Sequence, residues 1–172
     1  MAAPDKTQNV KAAVKQAIPV EQKKCFEAAL KLLARREHSR HELGRKLARR
    51  FPTEVIERVL DRLIGEKLLD DRRFAEVFIR DLLRRTPCGL RLIRRKLAER
   101  GVSEDDVEAV LEAVTPDETY QLETAAREKL AQLVSLKRDV AARRLLSHLK
   151  RRGFPRGPAQ SVALELLEDW PA

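Results

Sequence analysis

The chain has 172 residues, 43% hydrophobic but only 4% aromatic, with 37% charged residues, a formal net charge of +9 and a pI near 9.9. Leu, Ala, Val, Glu, Lys and Arg dominate, so the helix-forming composition points to an all-α fold, and the basic balance favours a polyanionic partner. Two isolated cysteines, Cys25 and Cys88, provide neither a disulfide framework nor a zinc site and fit a reducing cytoplasm; no segment approaches the roughly 18 consecutive apolar residues of a membrane span.

Residues 1–19 carry scattered lysines, no strong apolar stripe and no apolar run of signal-peptide length. They are expected to form a mobile tail or, given their alanines, a frayed helix, on a soluble, cytoplasmic, monomeric protein.

A first three-helix module is expected over 20–69. Phe26, Ala29, Leu30 and Leu33 recur at i, i+3, i+4, i+7. Ser39 with Glu42 is a capping box that starts a second helix, on which Leu43 and Leu47 lie one turn apart. Pro52 can open a third helix with Val55, Ile56, Val59, Leu60 and Leu63 inward, and Gly65 can close it.

A second module is expected over 70–114. Asp70 and Asp71 precede a helix as N-cap residues, with Phe74, Val77, Phe78 and Leu82 inward. Pro87 and Gly89 break the chain before a helix with Leu90, Ile93 and Leu97 as its stripe; Gly101 ends it. Ser103 with Asp106 caps the next helix, on which Val107, Val110, Leu111 and Val114 face in. The third module, 115–172, starts at Thr115, Pro116 and Glu118 with a long helix to about 134. Two more helices follow, at about 137–152 and 156–169.

The modules are copies of one another. RKLARR at 45–50 recurs as RKLAER at 95–100, and beyond one inserted glycine Phe51 falls on Val102, Ile56 on Val107 and Leu60 on Leu111. Upstream, Phe26 is matched with Phe74. A weaker copy aligns Leu149 with Leu97, Gly153 with Gly101 and Val162 with Val110. Repetition of this kind predicts stacked helical units, giving tandem three-helix repeats in an elongated, curved row.

The cations concentrate on the second helix of each copy. With Ile93 inward and 100° per residue, Arg91 and Arg95 point outward and Arg94 sideways. His41, Arg45 and Arg49 take the outward places of the first copy; Arg143, Lys150 and Arg151 those of the third. The third helices carry acidic clusters instead: Glu104, Asp105, Asp106 and Glu108, then Glu165, Glu168 and Asp169. The candidate binding residues are therefore Arg45, Lys46, Arg49, Arg91, Arg94, Arg95, Lys96, Arg143, Arg144, Lys150, Arg151 and Arg152. A solvated charged face is the plainer explanation, with Glu37, Glu42 and Glu99 neutralising some of these cations; recurrence in three copies favours a polyanion surface. Tyr120 and Trp170 are isolated, which argues against a dedicated platform for stacking bases.

No catalytic chemistry is legible. His38 and His41 lack a completing ligand set, His148 sits in a basic helix and is expected at the surface, and there is no phosphate-cradling glycine loop, serine elbow or HExxH. The expectation is a non-enzyme without metal or cofactor.

LLDDRRFAEVFIR at 68–80, followed by GLRLIRRKLAERGV at 89–102, resembles the central module of the RecX family, regulators of the bacterial RecA recombinase. ALKLLARREHSRHELGRKLARR at 29–50 resembles that family's opening pattern, and the likeness runs from about residue 24 to the end. CGLRLIR at 88–94 departs from it by lacking the Gly-Pro that usually stands there. The resemblance implies tandem three-helix repeats, binding along the groove of the RecA–single-stranded DNA filament, and inhibition of RecA ATPase, strand exchange and coprotease activity, hence a part in recombination, DNA repair and the SOS response. It also implies direct binding of single-stranded DNA, with double-stranded DNA as a further partner. The alternative is a helix-turn-helix-like DNA-binding protein acting without RecA; a third reading is an adaptor that binds protein only.

Overall fold

The computed structural model describes residues 6–114, 116–168 and 170, with side chains from residue 20 onward in those ranges. Residues 1–5 of the expected tail, Thr115 of the expected helix start and Asp169 of the acidic cluster lie outside them. Among the described residues there are nine α-helices and no strand: α1 Lys6–Leu33, α2 Arg40–Leu47, α3 Thr53–Gly65, α4 Asp71–Arg85, α5 Leu90–Ala98, α6 Glu104–Val114, α7 Glu118–Leu130, α8 Arg138–Arg151 and α9 Arg156–Leu166. The all-α class predicted from composition is the class observed. Helix α1 starts at Lys6, inside the segment expected as a tail. The chain divides into two compact units, 1–74 and 75–172.

In the first unit α1, α2 and α3 pack on one another. Ala29, Leu43 and Leu63 are wholly buried, as is Cys25, and Leu60 is 2% exposed. Each such leucine contributes roughly 1.5–3 kcal/mol by leaving water. The stripe of α1 is rotated from the expected one: Leu30 is 37% exposed, and the small side chains of Cys25 and Ala29 take the innermost places. Ser39 Oγ caps α2 by accepting the Glu42 N–H at 3.1 Å. Pro52, at φ −63° and ψ 151°, is the N-cap of α3. Gly65 is the last helical residue of α3, but the reversal is made two residues later. Lys67 sits at φ 57°, and the Leu68 N–H donates to Leu63 O at 2.9 Å.

In the second unit α5 packs on α6, while α7, α8 and α9 enclose a core around Leu122, Ala126, Leu145, Leu149 and Phe154. Helix α7 closes at Leu130, four residues before the expected end, in a run of turns whose Leu133 and Leu136 N–H groups donate to Leu130 O and Leu133 O. Its N-cap is Asp117, which accepts the Tyr120 N–H at 2.9 Å. Trp170 is tied in, its indole N–H donating to Leu136 O at 3.0 Å. On α4 the predicted stripe is corrected: Val77 is 40% exposed, whereas Ala75 and Ile79 are wholly buried.

Burial also corrects the upstream register of the repeat. Cys25 and Ala29 of α1 correspond to Ala75 and Ile79 of α4, fifty residues on, as Leu43 and Leu47 of α2 correspond to Ile93 and Leu97 of α5. Phe26 therefore matches Glu76 rather than Phe74. The inserted glycine has a physical reason. Gly101 (φ 73°) and Gly153 (φ 88°) adopt the left-handed conformation after α5 and α8. There Val102 N–H reaches Leu97 O and Phe154 N–H reaches Leu149 O, both at 3.2 Å, a helix stop that favours glycine. After α2 the chain turns one residue sooner, Phe51 N–H bonding Leu47 O at 3.1 Å, and no glycine is needed.

Candidate nucleic-acid interface

The cationic helices α2 and α5 are held at their N-termini by devices that bring distant residues together. Asp70 Oδ1 caps α4, accepting the N–H groups of Arg72 and Arg73 at 2.9 and 3.1 Å. Asp71, read from sequence as part of the same cap, instead turns its Oδ1 to the Arg40 N–H at the start of α2, 2.7 Å away. At the corresponding place in the second copy, Glu118 Oε1 of α7 accepts the Leu90 N–H at the start of α5 at 2.9 Å. A carboxylate from the first turn of a later helix thus satisfies an orphan amide of a cationic helix and complements its dipole. No sequence signal separates this role from an ordinary N-cap.

The candidate cations fall into classes. On α2 and the turn after it, Arg45, Lys46 and Arg49 are exposed. On α5, Arg91, Arg94 and Arg95 are exposed and Lys96 is half-buried. On α8, Arg143, Arg144, Lys150 and Arg151 are exposed, and Arg152 at its C-cap is half-buried. The outward directions read from the helical wheel for Arg45, Arg91, Arg95, Arg143 and Arg151 agree with this exposure.

Availability is a separate matter. Arg94 makes a two-point ion pair with Glu108 of α6 at 2.6 and 2.8 Å. That carboxylate stabilises the charged guanidinium, and Arg94 in turn holds the Glu108 carboxyl below its usual range. A shallow groove of about 260 Å³, floored by Ala98, Val102 and Val107, lies beside this pair. Arg95 approaches Glu99 at 3.7 Å, the i,i+4 neutralisation expected from the sequence; Glu37 and Glu42 serve Arg73 and Arg36 instead. Arg40, outside the candidate set, is held by Asp61 and Glu57 of α3. Arg100 and Arg62 stack on the Phe78 and Phe26 rings, each 4.3 Å from the centroid, a use of arginine that sequence reasoning missed. By contrast Arg45, Lys46, Arg49, Arg91, Arg143, Arg144, Lys150, Arg151 and Arg152 have no carboxylate partner among the described residues.

His38 is buried at 2% exposure, just ahead of α2, where a neutral imidazole Nδ1–H donates to Glu42 Oε2 at 3.2 Å. Burial, then Arg36, holds its pKa below the ordinary histidine value. Burial pushes the Glu42 carboxyl up, but Arg36 and His38 outweigh it and keep it below the usual range. His148, expected at the surface, is half-buried on α8, and burial, then the neighbouring cations, hold its pKa below the ordinary histidine value. Cys25 and Cys88 are buried, and burial raises both thiols. Among the described residues no group of three His, Cys, Asp or Glu is placed to hold a metal ion, and no helix is long and apolar enough to cross a membrane.

Fold and surface together define a helical protein built from three-helix domains with cationic second helices, and its likenesses agree. Residues 25–63 match the family model for the first three-helix domain of RecX, and residues 70–111 that for the second. The regulatory protein RecX of Halorhodospira halophila is 39% identical over 144 residues, 83% of this chain and 88% of its own. That of Prosthecochloris aestuarii is 40% identical over 148 residues, 84% of this chain and 95% of its own. The chain belongs to the RecX family of regulatory proteins. A crystal structure of a regulatory protein RecX shares the fold at a TM-score of 0.77 and 24% identity, over 98% of this chain and 79% of that one. That of RecX from Lactobacillus salivarius does so at 0.73 and 20%, over 86% and 97%.

Proposed function

We propose that this protein binds the RecA–single-stranded DNA filament and inhibits RecA ATPase, strand exchange and coprotease activity, thereby modulating recombination, repair and the SOS response. Membership of a regulatory family supports the reading at the level of class. The observation that carries it further is the recurrence of exposed, unpaired cations at equivalent places. Arg91 and Arg143 hold the same place in the second and third copies, Arg49 and Arg151 in the first and third, and Arg45 of the first copy matches Arg95 of the second, which meets Glu99. An elongated anionic assembly rewards such repetition, because each neutralised phosphate releases condensed counterions and the contributions multiply. A compact acidic protein would engage one such helix, not three.

In this reading the triplets α1–α3, α4–α6 and α7–α9 act as modules over 20–69, 70–114 and 115–172, each presenting its cations to successive stretches of the filament. Bridging neighbouring subunits hinders the movements that ATP turnover and strand exchange require. No step needs a catalytic group, metal or cofactor. The test is ATP hydrolysis by RecA on single-stranded DNA with this protein added below stoichiometry. Progressive loss of turnover is expected; unchanged turnover at every ratio refutes the proposal. Sequence-selective duplex binding that resists competition by unrelated DNA, with no effect on RecA, would favour a DNA-binding protein acting without RecA.

A further inference from the structure

Half-burying a cation away from water costs free energy unless a counter-ion compensates. Elsewhere in the molecule the half-buried Arg40 and Arg73 each meet a carboxylate. In the second unit Lys96, Lys129 and Arg152 are half-buried without one among the described residues. Lys129 spends one proton on Gln132 Oε1 at 3.0 Å, a neutral acceptor.

These residues stand on three helices, α5, α7 and the end of α8, that are linked through α8. The turn after α8 is pressed on the start of α5. Gly89 N–H donates to Arg152 O at 3.0 Å, and the Gly153 backbone lies so close to Leu92 that a side chain there has no room. Lys96 stands one turn along α5 from Leu92. Helix α7, with Lys129 in its last turn, packs on α8, and His148 and Arg151 stand in the last turn of α8. The fields agree with this placement. After burial, Arg152, Lys129 and Arg151 hold the half-buried His148 ring below its ordinary pKa, and Arg152 and Lys96 both act on the Cys88 thiol. The C-terminal dipole of α8 supplies the equivalent of about half a negative charge, too little for four cations.

We infer that this junction of α5, α7 and α8 is a direct seat for the phosphodiester backbone of nucleic acid, with Lys129, Arg151 and Arg152 as its principal phosphate ligands and Lys96 supporting them. A phosphate presents acceptor oxygens to several donors at once, which suits a group of cations better than a single carboxylate does. Arg143 and Arg144 extend the cationic set along α8, eight residues before Arg151 and Arg152. That is about 12 Å of helix axis, so a run of phosphates is accommodated rather than one isolated anion. Sequence readout plays no part, since the contacts are to backbone. The inference deepens the proposed function by placing the nucleic-acid contact in the second unit. It is tested without RecA, so its failure and that of RecA inhibition are separately visible.

The experiment is fluorescence anisotropy of labelled oligothymidylate against the full chain across a salt series. The variant Lys129→Gln/Arg151→Gln/Arg152→Gln is compared with a charge-matched control, Arg80→Gln/Arg84→Gln/Arg127→Gln, whose arginines are exposed and already paired with Glu76, Asp81 and Glu123. The junction variant is expected to lose at least about tenfold in affinity, and its slope of log K against log salt to flatten by about 2, from three lost phosphate contacts. The control is expected to stay near wild type. Should the triple variant fold poorly, Arg151→Gln alone, at an exposed position, is expected to flatten the slope by about 0.7. Equal behaviour of junction and control variants overturns the inference. So does weakened binding to polyglutamate with unchanged binding to the oligonucleotide, which would assign the junction to an acidic protein partner.

Discussion

Replacing Gly153 by Ala is the sharpest probe of how the cationic helices are held. The position combines two constraints. Its φ of 88° is a left-handed conformation that costs an L-residue roughly 1–2 kcal/mol. Its added Cβ would meet the Leu92 backbone nitrogen, with Leu92 Cβ at 2.7 Å and Cα at 3.0 Å, so α5 and the α8 turn must separate. Separation strains the Gly89 N–H to Arg152 O bond of 3.0 Å, and a buried amide left unpaired costs about 1–3 kcal/mol. The sum is a destabilisation of about 2–5 kcal/mol, a large fraction of the 5–15 kcal/mol typical of a folded domain. Urea unfolding followed by far-UV circular dichroism measures it, with ΔG taken from the midpoint at constant m. Gly157→Ala is the control: it lies in the first turn of α9, has nothing within 4 Å, and is expected to be neutral or slightly stabilising. A Gly153→Ala protein within about 0.5 kcal/mol of wild type would refute the reasoning, since neither strain nor clash could then be present.

Three further outcomes are expected. Asp71→Ala and Glu118→Ala each remove the acceptor of a first-turn amide, at Arg40 and Leu90, and should cost about 1–2 kcal/mol in the same urea assay. Lys67→Gly relieves a left-handed lysine at φ 57° after α3 and should stabilise by about 0.5–1 kcal/mol; a loss would contradict the assigned turn. Stability should fall with acid in two stages. His38 has a lower pKa folded than unfolded, so the unfolded chain binds more protons. The stability it contributes is full above the ordinary histidine value and lost as pH falls below it. Glu42, also lowered, adds a second loss below the usual carboxylate range. His38→Gln should flatten the first stage in urea titrations across that pH range and shrink the second only in part, since Arg36 still holds Glu42.

The sequence carried the helical class and most module cores because a fifty-residue repeat of leucine spacing is a local and redundant signal. It misjudged Leu30 and Val77 because a large apolar side chain at helical spacing reads as core. Here Cys25, Ala29 and Ala75, small enough for close helix approach, occupy the innermost positions with Ile79. The outward directions of Arg45, Arg91 and Arg143 were legible because a helix fixes them once its buried stripe is known. Their availability was not. Glu108 lies fourteen residues beyond Arg94, on another helix, and its charge cancels a cation that the wheel alone counts as free. For the same reason Asp71 and Glu118 could not be recognised, each acting on a helix about thirty residues earlier in the chain.

The central claim is that unpaired cations on the second helix of each copy meet an elongated anionic nucleoprotein. Co-sedimentation with preassembled RecA filaments on single-stranded DNA, across a salt series, addresses it most directly. Wild-type protein should pellet with the filaments, and an Arg45→Gln/Arg91→Gln/Arg143→Gln protein should stay largely in the supernatant with a weaker salt dependence. Pelleting of the variant equal to wild type at every salt concentration, or no pelleting of wild type at all, would contradict it.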